Sequence, residues 1–467
     1  MLEGLHKIVS SDETIVAIST PIGRSGIGVV RLSGMEACAI ANRFFRMPSA
    51  NSFLEHRTAM VGVWLDANAP EVAEVAEVDE VVVTFFRAPH SYTGEDVIEI
   101  SAHGNPLTLK RIVETAKSAG ARIAAPGEFT LRAVAHGKMD LVQAEAVRDF
   151  IDAQTEQQAR TAMRQMEGGL SKHIRPVKEK LIDVIAHLEA GIDFAEDDVD
   201  VPANTAIAES IQPLADELLR WEKTFEYGRM LNQGLLLAIL GKPNVGKSSL
   251  FNQLIARDRA IVTEIPGTTR DVLTETISMD GVPLRFADTA GVRQTTDRVE
   301  SIGVSRTFET LADADLALVV LDGSASIDDD DRCVLQRTGQ TRHLIVINKA
   351  DLPQIIETTA LNGAPRVAVS ARTGEGLDDL RDALKSFLLE HKTDVASLVL
   401  TSARQHEVIG RSARSLGAAA EALNRQVPHE MVLLDLYSAL SALDELTGDV
   451  VTEDILDRIF STFCIGK

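Results

Sequence analysis

The sequence predicts a multidomain protein that combines α/β and all-α parts: an N-terminal α/β domain, a discontinuous helical bundle and an inserted P-loop GTPase domain of the Ras-like type. Three observations support this fold class. A phosphate-loop motif at residues 241–248 lies between an apolar strand and a helix start. Strand-like segments separated by glycine and polar clusters fill the first 130 residues or so. Apolar residues at helical spacing flank the phosphate-loop region on both sides.

The phosphate-loop motif is Gly-Lys-Pro-Asn-Val-Gly-Lys-Ser, which fits the pattern G-x-x-x-x-G-K-[ST]. The apolar run 235–240 before it is typical of a buried parallel strand, and a helix is predicted from Ser249. Backbone N–H groups at such a junction bind the α- and β-phosphates of a nucleotide. Lys247 is expected to reach the β- and γ-phosphates, and the Ser248 hydroxyl is expected to bind Mg²⁺. The predicted nucleotide contacts here are Asn244, Val245, Gly246, Lys247, Ser248 and Ser249.

Further motifs follow in the order that a guanine-nucleotide switch needs. The strand predicted over 282–287 ends at D-T-A-G, where Asp288 supplies a carboxylate on the Mg²⁺ side. The strand predicted over 344–347 leads into N-K-A-D, whose Asp351 can accept two hydrogen bonds from guanine but not from adenine. The strand predicted over 366–369 leads into S-A-R, which completes the base pocket through a backbone N–H. The assigned residues are Asp288, Thr289, Ala290, Gly291, Asn348, Lys349, Asp351, Ser370, Ala371 and Arg372.

The loop between the phosphate-loop helix and the 282–287 strand carries hydroxyl groups for the metal shell; its assigned residues are Thr263, Glu264, Ile265, Pro266, Gly267, Thr268 and Thr269. After D-T-A-G, small regulatory GTPases carry a glutamine that orients water, but this chain has Val292. Gln294, Asp297 and Glu300 are the polar candidates for that role, and each also suits a solvated loop position. Asn244 is a candidate ligand for a monovalent cation beside the phosphates.

Composition limits the choice of partners. The chain has 467 residues, of which 45% are hydrophobic and 25% charged, so it has ample core for about three domains. Its net charge of −22 argues against a broad basic face for nucleic acid or membrane, but leaves RNA contact through a local patch or a partner protein. Cys38, Cys333 and Cys464 lack disulfide or metal-ligand spacing, which suits a reducing compartment. A cytoplasmic protein with no membrane partner is expected.

The N-terminal region predicts strands over 14–19, 27–32, 59–64, 80–86 and 96–102, and helices over 36–45 and 107–119. Its glycine cluster at 23–28 has the wrong order for G-x-G-x-x-G, and that fingerprint occurs nowhere else in the chain. The sequence therefore predicts no flavin or nicotinamide of its own.

Helical patterns surround the GTPase motifs. A bundle seam runs from Leu170 to Leu188, with Pro176 predicting a kink or a helix restart nearby, and a further helix is predicted over 206–228. Apolar residues at helical spacing resume at about residue 391. We therefore expect the GTPase to be inserted in one discontinuous bundle, with two separate bundles as the alternative. The predicted boundaries are 1–135 for the N-terminal domain, 136–232 and 391–467 for the helical domain, and 233–390 for the GTPase.

Motifs outside the GTPase resemble those of one family. They are G-I-G-V-V-R-L-S-G at 26–34, P-G-E-F-T-L-R-A from Pro126, K-M-D-L-V-Q-A-E-A from Lys138 and the terminal F-C-I-G-K. Over essentially its whole length the chain resembles the MnmE (TrmE) family of tRNA modification GTPases. The GTPase motifs alone also occur in ribosome-associated GTPases, so an RNA-binding switch of ribosome assembly is the alternative function.

The resemblance implies a folate-binding N-terminal domain that also forms a homodimer. It implies a flavin-containing partner of the MnmG (GidA) family, in a heterotetramer or a similar assembly. Such proteins install an aminomethyl-type group at C5 of the wobble uridine of tRNA. The carbon comes from a tetrahydrofolate derivative of the 5-formyl or methylene type, and ammonium and glycine both stay open as the amine donor.

The resemblance also assigns residues. Folate contacts fall to Arg31, Glu99, Lys138 and Lys467; K⁺ contacts to Asn244, Thr263, Ile265 and Thr268; Mg²⁺ contacts to Ser248 and Thr269. The implied catalytic residues are Lys247, Glu300, which matches a water-positioning glutamate, and Cys464 in the terminal signature. Judged from the sequence pattern alone, Arg31, Glu99 and Lys138 would be interpreted as solvent-exposed charged residues. Cys464 would be interpreted as a small buried residue in a docked C-terminal tail.

Overall fold

The computed structural model describes residues 13–47, 54–66, 77–193, 203–257, 275–287, 314–339, 341–361, 363–390 and 398–466. The chain divides into two compact units. The first comprises 1–148, 165–209 and 415–467, and the second comprises 149–164 and 210–414. No helix in the described ranges is long and apolar enough to cross a membrane.

The N-terminal part of the first unit is a mixed sheet with two helices. The strands described there are β1 (Ile15–Ile18), β2 (Ser25–Ser33), β3 (Phe45–Arg46), β4 (Ala59–Leu65), β5 (Glu77–Phe86), β6 (Val97–Gly104) and β7 (Arg122–Ile123), and the helices are α1 (Ala37–Phe44) and α2 (Pro106–Ser118). The strand order is β3-β4-β5-β6-β2-β1-β7, and all neighbours are antiparallel except β1 and β7. All five predicted strands and both predicted helices of this region are confirmed, with ends shifted by at most three residues.

Alternation along the strands places one face of the sheet in the core. Val81, Val83 and Phe85 of β5 are buried against the helices, whereas the side chains between them point to the other face. Helix α2 begins where the Asn105 side chain accepts a hydrogen bond from the backbone N–H of Leu107, a common helix cap. Arg31 and Glu99 occupy the face away from these helices, which leaves them available to a ligand.

The remaining helices that precede the GTPase motifs are α3 (Glu128–Ala135), α4 (Leu141–Asp152), α5 (Glu156–Met166), α6 (Gly169–Asp193), α7 (Asn204–Glu222) and α8 (Phe225–Gln233). Helix α6 is continuous through Pro176, so it does not restart at that residue, and the alternative of a kink stays a prediction. The predicted helix over 206–228 is two helices instead. The Thr224 hydroxyl donates to the carbonyl of Trp221 at 2.7 Å, which ends α7.

The second unit contains a six-stranded sheet. Its strands are β8 (Leu235–Leu240), β9 (Glu275–Met279), β10 (Val282–Ala287), β11 (Leu316–Asp322), β12 (His343–Asn348) and β13 (Arg366–Ala368), and its helices include α9 (Lys247–Arg257), α10 (Asp329–Thr338) and α11 (Leu377–Glu390). The order is β13-β12-β11-β8-β10-β9, with only the β9–β10 pair antiparallel among the described strands. The strands predicted beside each nucleotide motif are confirmed. Strand β8 is central, so the loop after it opens at the carboxyl edge of the sheet.

Three helices follow the second sheet: α12 (Ala403–Asn424), α13 (His429–Thr447) and α14 (Glu453–Phe460). In the first unit, α6 and α13 pack against each other although the second unit separates them in sequence. Leu181 of the predicted seam on α6 is buried there, and so is Leu436 of α13. The prediction of one discontinuous bundle is therefore confirmed, and the alternative of two separate bundles is wrong.

An ion-pair cluster joins the two halves of this bundle. The Nζ atom of Lys178 on α6 lies 2.5 Å from an oxygen of Asp444 on α13 and 2.5 Å from one of Asp449 just after it. Desolvation opposes the lysine charge, but the bonds to both aspartates outweigh it and raise the pKa of Lys178. Burial also opposes the Asp449 charge, and the bond from Lys178 outweighs it and lowers the pKa of Asp449.

We expect Lys178→Met to lower the free energy of unfolding by roughly 1–2 kcal/mol, because two carboxylates then face each other without their cation. The thermal unfolding midpoint of the full chain, followed by circular dichroism, measures this. Arg175→Met is the matched control, because the Arg175–Glu179 pair lies on the same helix with both side chains exposed. An equal loss in the two variants would contradict the role of Lys178.

The same cluster has a defined pH window. The raised pKa of Lys178 stabilises the folded state below about pH 10.4, and the lowered pKa of Asp449 stabilises it above about pH 3.9. The difference between the wild type and Lys178→Met should therefore be full from about pH 5 to pH 9 and shrink as Asp449 becomes protonated below about pH 4. A difference that stays constant down to pH 3 would show that Lys178 acts through packing alone.

Candidate functional site

The phosphate loop in the second unit has the backbone conformation that its sequence predicts. Gly241 and Gly246 have φ angles of 148° and 98°. A Cβ at Gly246 would lie 2.2 Å from the Nδ2 atom of Asn348, so only glycine fits there. Asn244 also has a positive φ, 64°, which is uncommon for a residue other than glycine. The loop is thus a tight cradle that leaves the strand and enters helix α9 at Lys247.

Lys247 lies within the loop. Its Nζ atom donates to the backbone carbonyls of Gly241 at 2.7 Å and Lys242 at 2.8 Å. Burial lowers the pKa of Lys247 because the ammonium is partly desolvated. Within the described ranges, these partners of the ammonium are carbonyl oxygens, which it can exchange for the stronger acceptors of a phosphate. Ser248 follows in the first turn of α9, where its hydroxyl is the type of oxygen ligand that Mg²⁺ binds.

Asn348 links the phosphate loop to the base pocket. Its Nδ2 atom donates to the carbonyl of Val245 at 2.7 Å, and its Oδ1 atom accepts from the backbone N–H of Ala371 at 2.9 Å. The side chain is 2% exposed, so both bonds form away from water. Because one amide satisfies both loops, the S-A-R segment and the phosphate loop are held in a fixed relation.

Asp351 presents the carboxylate predicted to recognise guanine. Its Oδ1 atom accepts from the Ser370 hydroxyl at 2.5 Å, and its Oδ2 atom forms an ion pair with the guanidinium of Arg372. The bond from Ser370, followed by the charge of Arg372, holds the pKa of Asp351 below its usual value. The acid is therefore ionised at neutral pH, the state that the predicted bonds from the N1–H and 2-amino groups of guanine require.

Three ion pairs at this site were not found from the sequence. The Nζ atom of Lys349 lies 2.6 Å from Asp322, at the end of β11. The Nζ atom of Lys242 lies 2.6 Å from Asp328 and 2.7 Å from Asp331, which form a reciprocal cap at the start of α10. The D-x-x-D spacing of that cap was the available signal. These pairs tie the phosphate loop and the N-K-A-D loop to their neighbours.

Several predicted residues lie outside the described part of the chain, and their assignments stay predictions. They are Thr263, Glu264, Ile265, Pro266, Gly267, Thr268, Thr269, Asp288, Thr289, Ala290, Gly291, Glu300 and Lys467. The described residues of the nucleotide site fit a nucleotide and its metal ions by donor type: a glycine cradle of backbone N–H groups, an ammonium, a hydroxyl and the Asn244 amide.

A second site lies on the open face of the first unit's sheet. Arg31 of β2 and Glu99 of β6 are cross-strand partners, and the Arg31 Nε and Nη2 atoms both donate to Oε1 of Glu99, at 3.0 and 2.7 Å. The rings of Tyr92 and Phe129 flank the guanidinium, with centroids 5.5 and 5.7 Å from its Cζ atom. The structure thus brings together two of the residues predicted to bind folate and adds two aromatic walls.

Lys138 reaches the same region through the loop 87–96. Its Nζ atom donates to the carbonyl of Pro89 at 2.9 Å, and a Cβ built at Gly94 would lie 3.5 Å from its side chain. The same loop carries Tyr92, so Lys138 and the Arg31 site share one supporting segment.

Helix α3 and a buried charge network support that segment. The Tyr92 hydroxyl lies 2.9 Å from that of Thr130, and burial raises the pKa of Tyr92. The guanidinium of Arg132 is fully buried and pairs with Glu95 at 3.0 Å and with Glu128 at 3.0 Å. Removing one partner of such a buried network leaves an uncompensated charge, so α3 and the loop are held firmly together.

The C-terminal tail docks beside this site. Ile465 pairs with Pro126 in an antiparallel bridge, and the carbonyl of Cys464 accepts from the backbone N–H of Gly127 at 3.5 Å. The carbonyl of Gly466 accepts from the Ser19 hydroxyl at 3.0 Å. The Cys464 side chain is exposed. The tail therefore joins the N-terminal domain next to β1 and the start of α3, and the thiol is open to solvent.

The strand order, the glycine cradle and the Asp351 carboxylate define the second unit as a guanine-nucleotide-binding domain of the P-loop class. Family models match both parts of the chain: the GTP-binding protein TrmE N-terminus over residues 14–138 and the MnmE helical domain over 141–464. The chain belongs to the MnmE (TrmE) family of tRNA modification GTPases.

Relatives match along the whole chain. The tRNA modification GTPase MnmE of Koribacter versatilis is 49% identical over 460 residues, covering 98% of this chain and 99% of the relative. The proteins of the same name from Geobacter sulfurreducens and Aquifex aeolicus are 42% and 41% identical, covering 98% and 97% of this chain and 99% and 100% of theirs. The solved G domain of the T. maritima FeoB iron transporter covers 34% of this chain and 98% of its own, at 25% identity and a TM-score of 0.25.

We expect Asp351→Asn to weaken GTP binding by about 100-fold or more and to improve binding of xanthosine triphosphate. An amide offers one acceptor in place of two, and its N–H group suits the 2-oxo group of xanthine. Competition against a fluorescent guanine nucleotide measures both changes. Asp379→Asn makes the same substitution at an exposed carboxylate on α11 and should change neither affinity. Unchanged GTP affinity in Asp351→Asn would remove this carboxylate from the base pocket.

Proposed function

We propose that this chain is the GTP-hydrolysing subunit of a complex that modifies C5 of the wobble uridine in tRNA. It would use a tetrahydrofolate one-carbon unit and a flavoprotein partner to add an aminomethyl-type group. The observation that carries this proposal is the docking of the Cys464 tail beside the Arg31–Glu99 site in the first unit. GTP hydrolysis belongs to the other unit, so the chain holds two separate chemistries.

The Arg31 site fits a pterin. Both Arg31 bonds use the Oε1 atom of Glu99, so its Oε2 atom can accept from the donor edge of a pterin ring. The rings of Tyr92 and Phe129 supply flat apolar surface for a planar heterocycle. Lys138 and Lys467 would hold the carboxylates of the folate glutamyl tail. A bound folate would supply the one-carbon unit, while these residues bind and orient it.

Cys464 is proposed as a catalytic residue of this centre. Its thiol is exposed, and its backbone is fixed on both sides by Gly127 and by the Gly466 bond to Ser19. A Cβ at Gly466 would lie 2.3 Å from the carbonyl of Ile18, so the tail approaches β1 as closely as only glycine allows. A fixed backbone presents the thiol at one position on the domain surface.

The remaining chemistry requires partners. The sequence has no dinucleotide fingerprint, so the proposed flavin belongs to a partner of the MnmG (GidA) type. We propose a homodimer that assembles with this partner as a heterotetramer or a similar complex. With a net charge of −22, the chain would rely on the partner for much of the tRNA-binding surface, which accords with a cytoplasmic complex.

GTP hydrolysis would use Mg²⁺ and K⁺. Ser248 and Thr269 would bind Mg²⁺, and Asn244 with Thr263, Ile265 and Thr268 would bind K⁺. Val292 cannot orient water, so Glu300 is proposed to position it. Pairing of two GTPase domains would close the loop that carries the K⁺ ligands. A cation at that point replaces an arginine finger, a group worth about 10³–10⁵ in rate.

Nucleoside analysis of tRNA from a deletion strain tests the proposed function. We expect the C5 modification to be lost, restored by the wild type and by Arg111→Ala, and not restored by Arg31→Ala. Arg111 is the control because it forms a surface ion pair with Asp66 on the same domain. Purified Arg31→Ala should bind 5-formyltetrahydrofolate at least tenfold more weakly in calorimetry, because a charge-assisted contact is lost, and should hydrolyse GTP normally.

Two outcomes would contradict this proposal. Normal tRNA with immature ribosomal particles in the deletion strain would support the ribosome-assembly alternative. Unchanged folate affinity in Arg31→Ala would remove Arg31 from the folate site.

We expect GTP turnover by the full chain to be faster in KCl than in NaCl at matched ionic strength, and Asn244→Ala to lose this difference. Glu300→Ala is the matched comparison: its kcat should fall while GTP affinity and the K⁺ preference remain, because a water-positioning group acts in the transition state. Equal wild-type rates in both salts, or full K⁺ stimulation of Asn244→Ala, would overturn the cation assignment.

A further inference from the structure

A group of basic side chains lies at one end of the loop 87–96. We define the basic cluster as His56, Arg57, Arg87 and His90. The imidazoles of His56 and His90 have centroids 6.3 Å apart, and the Nδ1 atom of His56 accepts from the backbone N–H of Arg87 at 2.9 Å. The backbone N–H of Arg57 donates to the carbonyl of Phe85 at 2.7 Å, which fixes it beside β5.

The charges of the cluster act on one another. Slight desolvation and the positive charges of Arg57, His90 and Arg87 lower the pKa of His56. Arg57 has a φ of 60°, a conformation that costs energy for any residue other than glycine. In the same loop, the Oδ1 atom of Asp96 accepts from the backbone N–H of Ala88 at 2.8 Å. The cluster thus concentrates positive charge on an acidic chain.

Most arginines of this domain form ion pairs with carboxylates, whereas the described members of the basic cluster do not. Arg31, Arg46, Arg111, Arg122 and Arg132 each pair with a carboxylate. Among the described residues, the four members of the basic cluster form no ion pair with an acid. Arg57, Arg87 and His90 are exposed. Exposed guanidinium groups without an acid are available to an anionic ligand.

The cluster is continuous with the Arg31 site. Lys138 donates to the carbonyl of Pro89, the residue next to His90. At the other end of the same loop, Tyr92 covers the Arg31 guanidinium. A ligand whose ring lies at Arg31 and whose tail passes Lys138 would therefore reach the basic cluster next.

We propose that the basic cluster binds the γ-linked polyglutamate tail of a folate, so that this chain selects polyglutamylated over monoglutamylated folates. The inference rests on the proposed folate function of the Arg31 site. Each added γ-glutamyl residue carries one further α-carboxylate, and carboxylates pair with arginine through charge-assisted hydrogen bonds. The two exposed guanidinium groups of Arg57 and Arg87, with the imidazoles beside them, match a short flexible polyanion; a tRNA backbone would need a broader basic face than a chain of net charge −22 supplies.

The test compares the affinities of mono- and triglutamyl 5-formyltetrahydrofolate for the full chain by calorimetry. We expect the wild type to prefer the triglutamate by about five- to tenfold, with the preference shrinking as salt rises. The double variant Arg57→Ala/Arg87→Ala should bind both forms within about twofold of each other, with monoglutamate affinity close to wild type.

Arg43→Ala is the matched control. Its guanidinium packs over the ring of Phe44 at 5.5 Å, as Arg87 packs over Phe85 at 5.8 Å, but it lies outside the cluster. The triglutamate preference should survive this variant. Circular dichroism of all variants checks that the fold is retained.

The outcomes separate this inference from the proposed function. Equal wild-type affinities for the two folates would overturn the inference and leave the folate site intact. Binding of neither folate would overturn both. A preference that persists in the double variant would overturn the assignment to the cluster. Loss of tRNA affinity in the double variant, without any change in the folate preference, would assign the cluster to RNA instead.

Discussion

The packing of α6 against α13 is the interaction on which the rest of the first unit depends. These helices lie on either side of the second unit in the sequence, and the chain that follows α13 supplies α14 and the tail. Closing a long loop adds little entropic cost, because each doubling of its length costs only about 0.6 kcal/mol. A folded domain can therefore interrupt the bundle. The Lys178 cluster adds an electrostatic connection at the junction of the two halves.

After the second unit, the chain re-enters the first unit and brings its C-terminal tail against the N-terminal domain. Residues 464–466 of the tail are bonded to Ser19, just after β1, and to Gly127, just before α3. Neither end could form this site alone. The tail follows α13 and α14 in the chain, so the packing of α13 against α6 sets where the tail starts. The nucleotide site needs no such closure, since its phosphate loop, base loops and supporting ion pairs all lie within the second unit.

Sequence patterns predicted those features that depend on neighbouring residues. The bounds of β8 and β10 matched because a continuous apolar run ends at a motif of fixed backbone geometry. The break after α7 was missed because it depends on a bond from the Thr224 side chain that periodicity does not show. Of the two alternatives predicted near Pro176, a kink or a restart, the restart does not occur at that residue, because tertiary packing holds α6 continuous. Arg31 and Glu99 were assigned by family resemblance, and their pairing depends on strand register across 68 residues.

The resemblance assigned no role to the residues that hold the site residues in place. Arg132 lies in the P-G-E-F-T-L-R-A motif without an assigned contact, and its buried guanidinium joins Glu95 of the loop to Glu128 of α3. Helix α3 then makes three connections: Gly127 at its start receives the tail, Phe129 lies under Arg31, and Thr130 anchors Tyr92. A displacement of the tail would therefore act on the same helix that supports the aromatic walls. One short helix couples the position of the Cys464 thiol to the shape of the Arg31 site, because buried ion pairs leave that helix little freedom to move independently.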